Sequence, residues 1–223
     1  EKKMLDMFFE KDSYFLLEGK NMLVDEFGKD YGKYFSILSL IAQGRNTRSE
    51  LENILNIKEL SGYLKNLNEE YGLISKMQPI YEKSTNKNVH YAIEDQFLKF
   101  WFRFVYKYMH IIEAGSNEKL KIIAERDFAT VSGKSLESYF NEVLKESGAY
   151  TRLGYWHDRK GENEIDIIAE DELDNKIEFI EVKRQSKNFD ENVLKAKSEL
   201  FFKAVGTFKG YEVIYRGLSI DDM

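Results

Sequence analysis

Glu164-Ile165-Asp166-Ile167-Ile168-Ala169 runs into a polar break, Asp171-Glu172-Leu173-Asp174-Asn175, and emerges as Lys176-Ile177-Glu178-Phe179-Ile180-Glu181-Val182-Lys183. Both apolar halves are rich in β-branched and aromatic residues, which predicts an antiparallel hairpin turning between Leu173 and Asp174. Counting outward, Ile168 faces Phe179, Asp166 faces Glu181 and Glu164 faces Lys183. Alternation then puts Asp166, Glu181 and Lys183 on one face, with Ile180 and Val182 on the other. Two carboxylates directly opposite each other sit roughly 5 Å apart at Cβ and repel. A solvated hairpin face would leave Glu164–Lys183 as its one useful pair. A divalent cation held by oxygen ligands, with Lys183 beside it, would compensate the repulsion directly.

The chain around this hairpin has 223 residues, 43% of them hydrophobic, with 16 Phe and 14 Tyr, enough to bury one large core or two small ones. A single Pro argues against Pro-rich linkers. The net charge of −6 argues against a surface built for non-specific DNA binding, though not against a local basic groove. With no cysteine, any metal must be held by carboxylates or by the three histidines. No apolar run reaches membrane-spanning length and no signal-peptide pattern opens the chain, so a soluble, cytoplasmic protein with no membrane partner is expected. The first residue is Glu, which hints at a fragment.

Residues 1–28 look helical and apolar without forming a unit of their own, as the end of an upstream domain would. Residues 29–95 hold a compact pattern. Tyr34, Ile37, Leu38 and Ile41 form a helical stripe; Thr47-Arg48-Ser49-Glu50 is a capping box opening a helix that carries Leu51 and Ile54; a third helix turns Leu60, Tyr63, Leu64 and Leu67 inward. Two short strands around Leu73–Met77 and Val89–Ile93 then flank a polar loop. Three helices and a hairpin are the order of a winged helix, whose DNA-facing candidates are Lys58 and Lys65 on the third helix and Lys83 and Lys87 on the wing. Acidic neighbours such as Glu59 and Glu69 make that helix a mixed reading surface. Residues 96–130 form an aromatic-rich helical linker: Phe97 to Tyr106 is apolar on nearly every face, so it predicts a buried interdomain helix or a homodimer contact.

Residues 131–223 predict an α/β unit. Gly133-Lys134-Ser135 lacks the second glycine of a phosphate loop, so no nucleotide site is expected and the tripeptide reads as a helix start. That helix carries Leu136, Tyr139, Phe140, Val143 and Leu144 on one face, with Glu137 at its margin. A strand over Tyr150–Trp156, a turn holding His157, the opening hairpin, a helix with Val193, Ala196, Leu200 and Phe201 inward, and a strand from Tyr211 to Tyr215 complete the order.

An acidic residue on the leading helix, Ile-Asp-Ile-Ile on one strand and Ile-Glu-Val-Lys on the next resemble the PD-(D/E)XK nuclease superfamily. Ile165 stands where that motif's proline is usual. The larger order, a winged helix, Phe-Trp-Phe-Arg-Phe, Gly-Lys-Ser-Leu-Glu and Glu-Ile-Asp-Ile-Ile, is similar to the C-terminal half of archaeal-type AAA+ ATPases, with residues 1–28 as the end of the ATPase lid. The resemblance implies an α+β chain in which a helical winged-helix domain precedes an α/β nuclease-like domain. It implies that Asp166, Glu181 and the Val182 carbonyl ligate Mg²⁺ or Mn²⁺. Glu137 would support the metal, and Lys183 would orient water or hold the scissile phosphate. Arg184, Lys195 and Lys197 would meet the DNA backbone. DNA and the upstream ATPase domain are the implied partners. Two other outcomes fit the same sequence: a non-catalytic nuclease-like module that regulates the ATPase, and a winged-helix DNA-binding regulator.

Overall fold

A computed structural model describes residues 2–10, 12–57, 59–82, 89–206 and 208–223. The fold is mixed α+β, with helices and two small sheets among the described residues. It divides into two units, Glu1–Met77 with Thr85–Ala129 and Gln78–Ser84 with Thr130–Met223.

In the first unit, α1 (Lys2–Phe9) and α2 (Phe15–Phe27) bury Leu5, Phe8, Phe9, Leu16, Leu23 and Phe27. In α3 (Tyr31–Ala42) the expected stripe Tyr34, Ile37, Leu38 and Ile41 is buried. The Thr47 capping box opens α4 (Arg48–Leu55): Glu50 N–H donates to Thr47 Oγ1 at 3.3 Å, and Thr47 N–H to Glu50 Oε2 at 3.2 Å. Ile54, expected inward, is 52% exposed. Leu55 lies closer to the line through Leu51 on a 3.6-residue helix and takes the inner flank instead. The third helix, α5 (Leu60–Lys65), continues as a π-helical turn over Asn66–Glu70. Antiparallel strands β1 (Ile74–Met77) and β2 (His90–Ile93) follow.

Asp95 caps α6 (Gln96–Phe100), which runs into a π-helical turn, Trp101–Val105, in which Trp101, Phe102, Phe104 and Val105 are all buried. This segment is buried as expected, within the first unit. Trp101 Nε1 donates to Leu16 O at 3.1 Å, and its ring lies where any side chain on Gly19 of α2 would be. After the short α7 (Met109–Glu113), α8 (Asn117–Glu146) is one continuous helix of 30 residues. The sequence suggests two helices with a start at Gly133. A single glycine costs a helix only about 1 kcal/mol, and no proline stands here to end it.

The second unit is a three-layer stack. Its sheet runs in the order β3 (Arg152–His157), β4 (Glu164–Asp171), β5 (Lys176–Val182), β6 (Glu212–Leu218). The first three strands are antiparallel, and β6 returns parallel to β5 after α9 (Glu191–Val205). The predicted hairpin register is present from Asp171 on Lys176, through Ile168 on Phe179, to Ile167 on Ile180, and the ladder does not extend to the expected Asp166–Glu181 and Glu164–Lys183 pairs. On one face Leu194 and Phe201 of α9 pack on Trp156, Ile165, Ile168, Ile177 and Phe179. On the other, Leu136, Phe140 and Leu144 of α8 pack on Ile167, Ala169, Ile180, Val182 and Leu218. Each fully buried Leu, Ile or Phe among these contributes about 1.5–3 kcal/mol.

Both helices sit rotated from the expected stripe. Tyr139 and Val143 of α8, and Val193, Ala196 and Leu200 of α9, are exposed. The buried line of α9 passes instead through Leu194, Ser198 and Phe201. Ser198 is accommodated because its hydroxyl donates to Lys195 O at 2.8 Å and meets Tyr215 Oη at 3.0 Å.

Part of the expected wing belongs to the second unit. Ile80 N–H donates to Tyr155 O at 2.7 Å, so residues 78–82 cover the edge of β3, and Ile80 joins the core on the α9 side. A Cβ on Gly154 would lie 3.0 Å from that of Ile80.

Candidate active site

The site forms where β4 and β5 part. Their ladder ends at Ile167–Ile180. Beyond it Lys183 N–H turns to β6, donating to Leu218 O at 2.8 Å, while Val182 N–H turns to β4 and meets the Asp166 carboxylate, Oδ2 at 2.8 Å. A side chain thus takes the place of a ladder carbonyl.

A bulge explains why Asp166 is free to do this. The β3–β4 register shifts between Gly154 and Trp156. As a result Ile165 and Ile168 both face α9, whereas Ile167 and Ala169 face α8. Two residues, Asp166 and Ile167, fill one step of the alternation. The expectation that Asp166 shares a plain alternating face with Glu181 and Lys183 therefore fails at Asp166. Glu181 follows Phe179 to the α9 side, where Lys197 Nζ donates to its Oε1 at 2.9 Å and Oε2 at 3.1 Å. Lys183 Nζ also donates to Glu181 Oε1, at 2.6 Å. From the other helix, Lys134 bridges Glu137 at 2.9 Å and Glu164 at 3.3 Å.

The electrostatics follow from burial. The Glu137 side chain, only 23% exposed, is pushed up to about 7; burial is the main cause, Asp166 adds to it and Lys134 opposes it. Asp166 is raised by burial and by the charge of Glu181, against Val182 N–H, Lys183 and Lys134. Burial works to lower the Lys183 ammonium, but its hydrogen bond and charge interaction with Glu181, helped by Asp166 and Glu137, prevail and raise it. Lys183 is therefore a charged group at neutral pH, suited to holding a phosphate oxygen and not to removing a proton.

Among the described residues no group of three or more Asp, Glu or His is placed to hold a metal ion. The donors nonetheless suit a hard divalent cation in kind. Glu137 and Asp166 are half-buried acids whose cost of ionisation nearby positive charge does not fully offset, which is the deficit a cation removes.

The remaining candidates are dispersed. Lys65 is exposed and 3.8 Å from Glu69; Lys195 pairs with Glu191 at 2.6 Å and lies over the Tyr215 ring. Arg184 is half-buried directly after Lys183. Lys58, Lys83 and Lys87 lie outside the described residues. His157 pairs through Nδ1 with Asp158 O at 2.8 Å. Sequence reasoning did not single out Lys134 as a site residue, and it did not find the pairing of Lys197 with Glu181. It also missed Glu170, a buried acid that accepts from Tyr81 Oη and from Tyr211 Oη at 3.2 Å, with Arg152 at 3.4 Å.

A family described as archaeal and bacterial proteins of unknown function matches residues 101–195, which include Glu137, Asp166, Glu181 and Lys183. The chain is also similar to an uncharacterized protein of Methanocaldococcus jannaschii, 33% identical over 203 residues, or 86% of this chain and 44% of the relative. It thus spans less than half of that relative's length. No solved structure matches. No helix among the described residues is long and apolar enough to cross a membrane.

Proposed function

We propose that the second unit is a metal-dependent DNA endonuclease of PD-(D/E)XK type. In this reading the helices and hairpin of the first unit are a winged-helix module that positions DNA, and the chain is the C-terminal part of an ATPase-linked protein. The carrying observation is the pair of half-buried acids with raised pKa, Glu137 and Asp166, set beside Lys183 at the open end of β4 and β5. The order helix, three antiparallel strands, helix, parallel strand supports it.

Asp166, Glu181 and the Val182 carbonyl would hold Mg²⁺ or Mn²⁺, with Glu137 beside them. When bound, the ion lowers the pKa of a water and offsets charge on the phosphate. Val182 N–H fixes the Asp166 carboxylate, and Lys183 holds a phosphate oxygen as a point charge. Supercoiled and branched DNA incubated with the protein and Mn²⁺ should be cut, and Asp166→Ala should abolish cutting. No cutting, or cutting that survives the substitution, removes the proposal.

One observation favours a non-catalytic, regulatory module instead: both Glu181 oxygens already carry ammonium groups. On that reading DNA stays intact although the fold is complete.

A further inference from the structure

One carboxylate, Glu181, holds two ammonium groups, and the two are not equivalent. Lys197 spans both oxygens, at 2.9 and 3.1 Å, and its side chain is 18% exposed. Lys183 makes one bond, to Oε1 at 2.6 Å, and is 35% exposed. The buried line of α9, Leu194, Ser198 and Phe201, carries Lys197 on its flank, so this ammonium is delivered by a packed helix. Lys183 lies one residue past the end of β5. If Lys183 leaves, Glu181 keeps one ammonium, Lys197, that spans both oxygens. If Lys197 leaves, Oε2 loses that bond, and of the two lysines only Lys183 is left to counter a buried carboxylate, which is costly to strand.

We infer that Lys197 is a positioning residue: it neutralises and fixes Glu181 so that Lys183 can swing away to an anionic group, a phosphodiester in the proposed reaction. The role of Lys183 toward substrate rests on the nuclease reading; the exchange at Glu181 does not. Lys183 is a mobile ammonium held by a carboxylate that can spare it, and Lys197 makes it spare.

The test is limited acetylation of the whole chain, read lysine by lysine by mass spectrometry. Lys197→Met should protect Lys183 several-fold against acetylation, because Lys183 is then bound to Glu181 alone, while Lys197→Arg should leave Lys183 as reactive as in the parent. Unchanged Lys183 labelling in a Lys197→Met chain that melts cooperatively overturns the inference, as does an Arg variant that behaves like the Met variant. Should Lys197→Met not fold, Glu181→Gln decides: labelling must rise at both lysines, and a Lys197 that stays as protected as before overturns the assignment. In cleavage assays, Lys197→Met and Lys183→Met should each lower kcat, and the double variant should be no slower than Lys183→Met alone. If the parent cuts no DNA, the nuclease reading fails while the labelling still decides the exchange.

Discussion

Glu137 shows how much one side chain's surroundings set its chemistry. Its carboxyl moves from an ordinary 4.5 up to about 7, chiefly through burial. Between those values the unfolded chain releases this proton while the folded chain keeps it, so stability falls as pH rises through the window. In the presence of a chelator, the loss attributable to Glu137 should be on the order of 2 kcal/mol. Urea melts at several pH values should show a shallower slope for Glu137→Gln than for the parent; equal slopes would contradict the assigned cause. At Glu170, Tyr81→Phe removes a phenol donor from a buried carboxylate and should cost about 1–2 kcal/mol in the same melts. Neither acid's surroundings are legible in the sequence, since both depend on a segment distant in the chain: Asp166 for the first, residues 78–82 for the second.

At the scale of elements, the hairpin was the most readable part. Its turn and its β-branched runs define the Ile168–Phe179 register by local chemistry alone. The apolar residues of the two helices fix their buried faces less tightly. In α9 the apolar residues span a wide arc, and the true buried line passes through a serine, so Val193 and Leu200 suggested the wrong centre and Lys197 looked peripheral. In α8 the same rotation moves Glu137 from the margin into the site, although Lys134 and Glu137, three residues apart, were a visible pair. The bulge at Asp166 left no signal in the hairpin's own pattern, because it arises from pairing with β3. Gly133 lies mid-helix with nothing within 4 Å of an added Cβ, so Gly133→Ala should raise stability by about 0.5–1 kcal/mol. A lower melting temperature would argue against the continuous helix. Gly217 is the opposite case: a Cβ there would lie 2.5 Å from the Phe189 ring, and Gly217→Ala should cost about 1–3 kcal/mol by thermal melt.

At the scale of the molecule, the chain's two units do not follow simple sequence boundaries. The connection out of β1 supplies Ile80 and Tyr81 to the second unit, so a piece starting at residue 131 lacks part of its own core. Ile80→Ala should destabilise the second unit by about 2–4 kcal/mol, read from hydrogen exchange at β3 amides. The aromatic run at Phe97–Tyr106, legible as buried, gave no hint of its partners, since a helix apolar on every face has no preferred direction. At this scale the claim to be tested is the proposal that Asp166 and Glu181, with Glu137 beside them, take up a divalent cation. Calorimetric titration of the chain with Mn²⁺ tests it most directly. A cation site there gives saturable binding that Asp166→Ala abolishes and Glu137→Gln weakens; heats that are absent in the parent, or identical in the Asp166→Ala chain, rule it out.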